Sequence, residues 1–177
     1  MQGRNLYGRL FRHVIYPAYE GGLRRRNTPA YMDEYARSQW LSRDELLDLQ
    51  WRKLRALLAH CWTHVPYYRA RWRAEGIGSV DEIRGLADYA RLPALTKNEV
   101  REHRGQLAAD THRERLLYKT TGGSTGEPLQ VGYTRESYER RVAVMFRGYD
   151  WAGAGPGCRT LHLWGSLPGG QTWRDRL

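Results

Sequence analysis

The stretch from Tyr118 to Leu129 constrains this chain more than any other. Between Thr120 and Glu127 it has three glycines, hydroxyls at Thr120, Thr121, Ser124 and Thr125, and no apolar residue. Short apolar runs flank it, Leu116-Leu117-Tyr118 before and Leu129-Gln130-Val131 after. Such a segment cannot pack into a core, and it is longer than a two-residue hairpin turn needs. Glycine lacks the Cβ that would keep the backbone away from an anion, and hydroxyls add further donors. The stretch therefore predicts a phosphate-cradling loop between two strands.

The chain around it is globular in composition: 41% hydrophobic and 12% aromatic residues are enough for a core. No run of 18 apolar residues occurs, so no transmembrane helix is expected. Cys61 and Cys158 lie far apart with no paired spacing, which argues against a disulfide scaffold or structural zinc and fits a reducing cytoplasm. The net charge is +10, and 26 of the 29 basic residues are arginine. They are spread along the whole chain, so a solvated basic surface explains them better than a nucleic-acid site, although attraction for an anionic partner is allowed.

In chain order, Leu6, Leu10, Phe11, Val14 and Ile15 recur at helical spacing, predicting an amphipathic helix over 4–19 that Glu20-Gly21-Gly22 breaks. Its apolar stripe is expected to pack on its own protein rather than on a membrane surface. Thr28-Pro29 opens a second helix, with Thr28 as N-cap. Ser42 and Glu45 form a capping box for a helix over 43–62, with Leu46, Leu49, Leu54, Leu57, Leu58 and Cys61 as its apolar face. Pro66-Tyr67-Tyr68 starts another helix, closed by Gly76. Ser79/Glu82 and Thr96/Glu99 repeat the capping signal on either side of an extended Leu92-Pro93-Ala94-Leu95. Residues 1–110 thus read as a helical region. Near Arg115 the period changes. Residues 116–120 and 129–133 read as strands, Thr134 caps a helix over 135–151, and 159–164 reads as a third strand reached by a βαβ crossover. The fold class is α/β, mixed in appearance. Residues 111–177 form a phosphate-loop hairpin and the first part of a larger sheet, expected to be the truncated start of a longer domain.

Two common nucleotide patterns are excluded, because Glu127-Pro128 follow Gly126 where a Walker loop needs Lys-Ser/Thr, and G-x-G-x-x-G does not occur. Instead, Thr121-Gly122-Gly123-Ser124-Thr125-Gly126-Glu127-Pro128 resembles the phosphate-binding loop of the adenylate-forming enzymes, Thr-Ser-Gly-Ser/Thr-Thr-Gly-x-Pro. The best-matching branch contains phenylacetate–coenzyme A ligase and related capsular-polysaccharide biosynthesis proteins. Segments similar to that branch's occur upstream in the same order, at His64-Val65-Pro66-Tyr67-Tyr68-Arg69 and Leu92-Pro93-Ala94-Leu95-Thr96-Lys97, so the resemblance covers roughly residues 40–165. Gly122 stands where serine is common and Leu129 where many members have lysine. The family's later adenine- and ribose-binding motifs and its C-terminal lysine have no match here.

The resemblance implies an AMP-forming ligase. A carboxylate attacks the α-phosphate of ATP, giving an acyl-adenylate and pyrophosphate, and coenzyme A then takes the acyl group, with Mg²⁺ sharing the phosphate charge. It makes Thr121, Gly122, Gly123, Ser124, Thr125 and Gly126 the phosphate contacts, and leaves the catalytic residues unassigned. The partners it implies are a small carboxylate, ATP and coenzyme A, without nucleic acid. The sequence leaves the oligomeric state open. The 177 residues alone are expected to be inactive. The rival readings are a basic helical module for a polyanion, or an adenylating relative that loads a sugar or carrier protein. His60, Cys61 and His64 make a possible metal face, but no third ligand stands out and no metal is expected. His162 and Trp164 could line an acyl pocket.

Overall fold

The computed structural model describes residues 6–121 and 128–161. Its elements are α1 (Leu6–Leu10), α2 (Thr28–Ser38), α3 (Arg43–His64), α4 (Pro66–Ala74), α5 (Leu86–Tyr89), α6 (Lys97–Glu102), α7 (Arg104–Leu107), β1 (Leu117–Thr120), β2 (Gln130–Tyr133) and α8 (Arg135–Trp151). This is the expected mixed α/β chain, helical first and stranded later.

The capping signals explain most boundaries. Ser42 Oγ accepts the Glu45 amide, and the Glu45 carboxylate accepts the Ser42 amide at 2.7 Å, so α3 starts where the sequence predicts. It ends at Val65, held extended before Pro66 (φ −117°, ψ 98°). Gly76 closes α4 at φ +82°, a conformation that suits glycine. Thr134 Oγ1 accepts the Ser137 amide and opens α8.

The N-terminal segment departs from expectation. The chain does not break at Glu20-Gly21-Gly22. It continues as wide π-turns over Phe11–Ile15 and Ala18–Leu23, on either side of Pro17, which has no amide to donate. Glu20 explains the continuation. It is buried, accepts the Thr28 hydroxyl at 3.2 Å and pairs with Arg26 at 3.5 Å. Thr28 is the first residue of α2 rather than its N-cap. Asn27 is the N-cap, and its amide donates to Glu139 of α8 at 2.9 Å. The apolar stripe of this segment is also less covered than expected. Phe11 and Tyr16 pack inward, with Tyr16 edge-on to Phe146 at 5.5 Å, while Leu6, Leu10, Val14 and Ile15 stay exposed. A bidentate Arg12–Asp150 pair, both bonds 2.7 Å, fixes the segment to the end of α8.

Two packed groups result. In the first, α2 lies along α8. Arg140 of α8 pairs with Glu34 of α2 and covers Tyr31 at 4.0 Å, and Lys53 of α3 takes the other Glu34 oxygen. In the second, Leu58 of α3, Trp72 of α4 and Ile83 form a buried cluster, with Trp51, Leu54, Cys61, Trp62, Tyr68, Ile77, Val80 and Leu92 against it. The inward stripe of α3 therefore runs 51, 54, 58, 61. Leu57 and Leu46, predicted on the apolar face, are exposed instead. The aromatic run from Trp62 to Trp72 packs into and around this cluster.

Glu99 ties α4 to α6. It accepts the Thr96 hydroxyl and amide, each at 2.7 Å, together with the Tyr67 hydroxyl and Arg71, and Arg71 also donates to the Ala94 carbonyl. The Thr96 bonds first, then Arg71 and Tyr67, hold the Glu99 carboxyl down at about 2. A carboxyl depressed on folding stabilises above its unfolded value of about 4.5 and loses that contribution as pH falls toward 2. We expect the stability advantage of the wild type over Glu99→Gln to be constant above about pH 5 and to shrink as pH falls from 4.5 to 3. Urea midpoints across that range check it; a pH-independent difference contradicts the pairing.

Among the described residues the sheet is the β1–β2 pair alone, antiparallel, with Leu117 opposite Tyr133 and Thr120 opposite Gln130. The expected third strand is not seen in Arg159–Leu161, which are neither helix nor strand; His162 and Trp164 lie outside the described residues.

Candidate functional site

The ribbon closes just beyond its ladder. The Thr121 amide donates to the Leu129 carbonyl at 2.9 Å, and the Leu129 amide donates to Thr121 Oγ1 at 3.0 Å. These reciprocal bonds fix both ends of the glycine–hydroxyl run at one end of the ribbon. Thr121 Oγ1 accepts the Leu129 amide, and among the described residues no acceptor takes its own proton. Of the expected phosphate contacts, Thr121 is placed; Gly122, Gly123, Ser124, Thr125 and Gly126 lie outside the described residues. Gly132 has a structural role the sequence did not suggest. A Cβ there would lie 3.1 Å from Leu116 Cδ1 and 3.2 Å from Tyr118 Cε1, so glycine lets β1 side chains cross β2 closely.

Lys119 lies on the β1 face that also carries Leu117, two residues before the Thr121 closure. There the Lys119 ammonium sits 5.3 Å from the Tyr133 ring and 5.6 Å from Tyr138, the first inward ring of α8. Tyr133 and Tyr138 stack at 6.3 Å and dock β2 onto α8. Arg141 and Arg26 approach the same Tyr138 ring at 5.1 and 5.7 Å. On the other face, Arg104 covers Tyr118 at 4.9 Å. Sequence reasoning missed this cationic cluster. Its one sequence signal is the pair Tyr133 and Tyr138 bracketing the Thr134 cap.

The possible metal face acquires a third imidazole. His60 lies 4.9 Å from the His64 ring and 5.6 Å from His112, and His64 Nδ1 meets Asp110 at 2.9 Å. Burial first, then His64 and His112, lowers the pKa of His60. Even so, no three His, Cys, Asp or Glu groups among the described residues are arranged to hold a metal ion. No helix among them is long and apolar enough to cross a membrane.

No family model matches the chain. Curated relatives do. A phenylacetate–coenzyme A ligase of Thermus thermophilus is 32% identical over 126 residues, 71% of this chain and 28% of the relative. That of Aromatoleum evansii is 30% identical over 133 residues, 73% of this chain and 30% of the relative. That of Escherichia coli is 31% identical over 114 residues, 64% of this chain and 26% of the relative. The chain carries a phenylacetate–coenzyme A ligase-like N-terminal region. This ligase-like chain spans less than a third of the length of the relatives it matches. The upstream segments that pointed to the same branch form parts of the helical region. His64–Arg69 makes the α3–α4 corner, and Leu92–Lys97 is the extended strap whose Ala94 carbonyl Arg71 holds.

Proposed function

We propose that this chain supplies the phosphate-holding part of an AMP-forming ligase, which activates a small carboxylate with ATP and passes the acyl group to coenzyme A. The observation that carries the reading is the Thr121–Leu129 closure, which joins the two ends of a Thr-Gly-Gly-Ser-Thr-Gly sequence at the end of an antiparallel ribbon. The ligase relatives support it, and their names give phenylacetate and coenzyme A as the substrate classes to try first.

In the reaction a carboxylate oxygen forms a bond to the α-phosphorus while the bond to the β-phosphate bridging oxygen breaks, and that electron pair leaves with pyrophosphate. Negative charge then grows on the leaving group. Hydrogen-bond donors aimed at the phosphates stabilise that charge, and this is the role we assign to the Thr121 hydroxyl and to Gly122, Gly123, Ser124, Thr125 and Gly126. A thiolate next attacks the acyl carbon and AMP departs. Mg²⁺ entering with the nucleotide would be carried by its phosphates, where it adds positive charge. The proposed compartment is the cytoplasm.

The relatives are more than three times longer than the matched region, so adenylation requires polypeptide beyond these residues. We expect the 177-residue chain, given ATP, Mg²⁺ and phenylacetate, to form no acyl-adenylate. Detection of the adenylate, or of acid-dependent pyrophosphate release, from this chain alone contradicts that division of labour.

A further inference from the structure

We propose that Lys119 and Arg141, gathered on Tyr138, form a binding subsite for polyphosphate beside the Thr121 end of the ribbon. This rests on the phosphate-loop reading above and extends it to side chains outside the loop.

The observation is an uncompensated charge cluster. Lys119, Arg141 and Arg26 all lie within 5.7 Å of the Tyr138 ring centre, so any two are at most about 11 Å apart, close to one Debye length at 0.1 M salt. Arg26 is answered by Glu20 at 3.5 Å. Among the described residues, no carboxylate comes within ion-pair distance of Lys119 or Arg141. The nearby acids are engaged elsewhere: Glu139 with Asn27 and Arg135, and Glu136 with Arg140. An aromatic face attracts a cation through its quadrupole but leaves the net charge in place. Lys119 and Arg141, held on one ring with no carboxylate beside them, therefore repel each other until an anion joins them. The ring also orders them in advance, because each side chain already rests against Tyr138 and, for Lys119, Tyr133 as well. A ligand bearing several negative charges along its length matches this spacing better than a single carboxylate. Lys119 lies only two residues before the Thr121 closure, so the subsite adjoins the loop end.

Isothermal titration of the 177-residue chain with inorganic pyrophosphate, and separately with ATP, tests the subsite at fixed ionic strength. We expect Lys119→Gln and Arg141→Gln each to weaken pyrophosphate binding about tenfold, as loss of a charge-assisted contact does. Lys119→Arg should retain most of the affinity. Arg52→Gln, an equal charge change on the exposed side of α3, should stay within about twofold. Thermal midpoints close to wild type would show that the variants fold, since both side chains are exposed. Equal weakening by Arg52→Gln would overturn the subsite in favour of a diffuse basic surface, and absence of pyrophosphate binding by the wild type at millimolar concentration would overturn it outright. A Thr125→Val, Gly126→Ala variant separates the two claims. If it alone loses binding, the loop stands and the subsite fails. If only the Lys119 and Arg141 variants lose binding, the subsite stands without the loop.

Discussion

Trp72→Ala is expected to lower the folding free energy by about 3–5 kcal/mol, the range for a fully buried aromatic whose cavity cannot close. Trp72 is 4% exposed at the centre of the Leu58–Trp72–Ile83 cluster. It stacks on Trp62 at 6.2 Å and lies 5.4 Å from Tyr68, so truncation removes two ring contacts as well as apolar area. Its neighbours cannot readily collapse into the gap. Trp62 belongs to α3, capped at Ser42, and Tyr68 to α4, which Arg71 anchors to Glu99 and Ala94. A typical domain is stable by only about 5–15 kcal/mol, so the variant falls near the threshold of folding. Urea unfolding checks this. The midpoint should fall sharply in Trp72→Ala and much less in Trp72→Phe, which keeps one ring. A loss below about 1 kcal/mol would mean that the cluster is not the core of the α3–α4 group.

Several elements were legible because local chemistry alone decides them. Ser42 with Glu45, Thr96 with Glu99, and Thr134 each supply the oxygen that a helix start lacks, and all three boundaries appear where the residues place them. Gly76 and Pro66 act through backbone sterics and are equally readable. The failures lie where distant residues intervene. Glu20-Gly21-Gly22 reads as a break, but a buried Glu20 held by Thr28 and Arg26 carries the helix through it. Asn27 stands at the cap in place of Thr28, and Glu139, 112 residues away, accepts its amide. Leu57 fits an apolar stripe by spacing, yet the core lies on the other side of α3.

The same division runs through the candidate site. The two strands follow from alternation, and Thr121 takes its place at their closure. The Lys119–Tyr138–Arg141 cluster arises only when β2 docks on α8, a contact for which a single strand or helix gives no signal. The need for glycine at 132 is likewise a property of the pair, set by Leu116 and Tyr118 on the neighbouring strand.

The largest effect on activity is expected from the loop itself. Thr125→Val replaces a hydroxyl by a methyl of the same shape, and Gly126→Ala adds a Cβ where the backbone must approach a phosphate. Removing one preorganised donor to a developing anion typically costs about 10²–10³ in rate, and this pair removes one donor and obstructs another. The substitutions lie in a run with no apolar residue, so the folded state should keep its thermal midpoint. Measured in a ligase of the relatives' full length that carries these residues, phenylacetate-dependent ATP–pyrophosphate exchange should fall at least a hundredfold, to about background. Undiminished exchange by the folded double variant would show that residues 121–126 do not hold the phosphates.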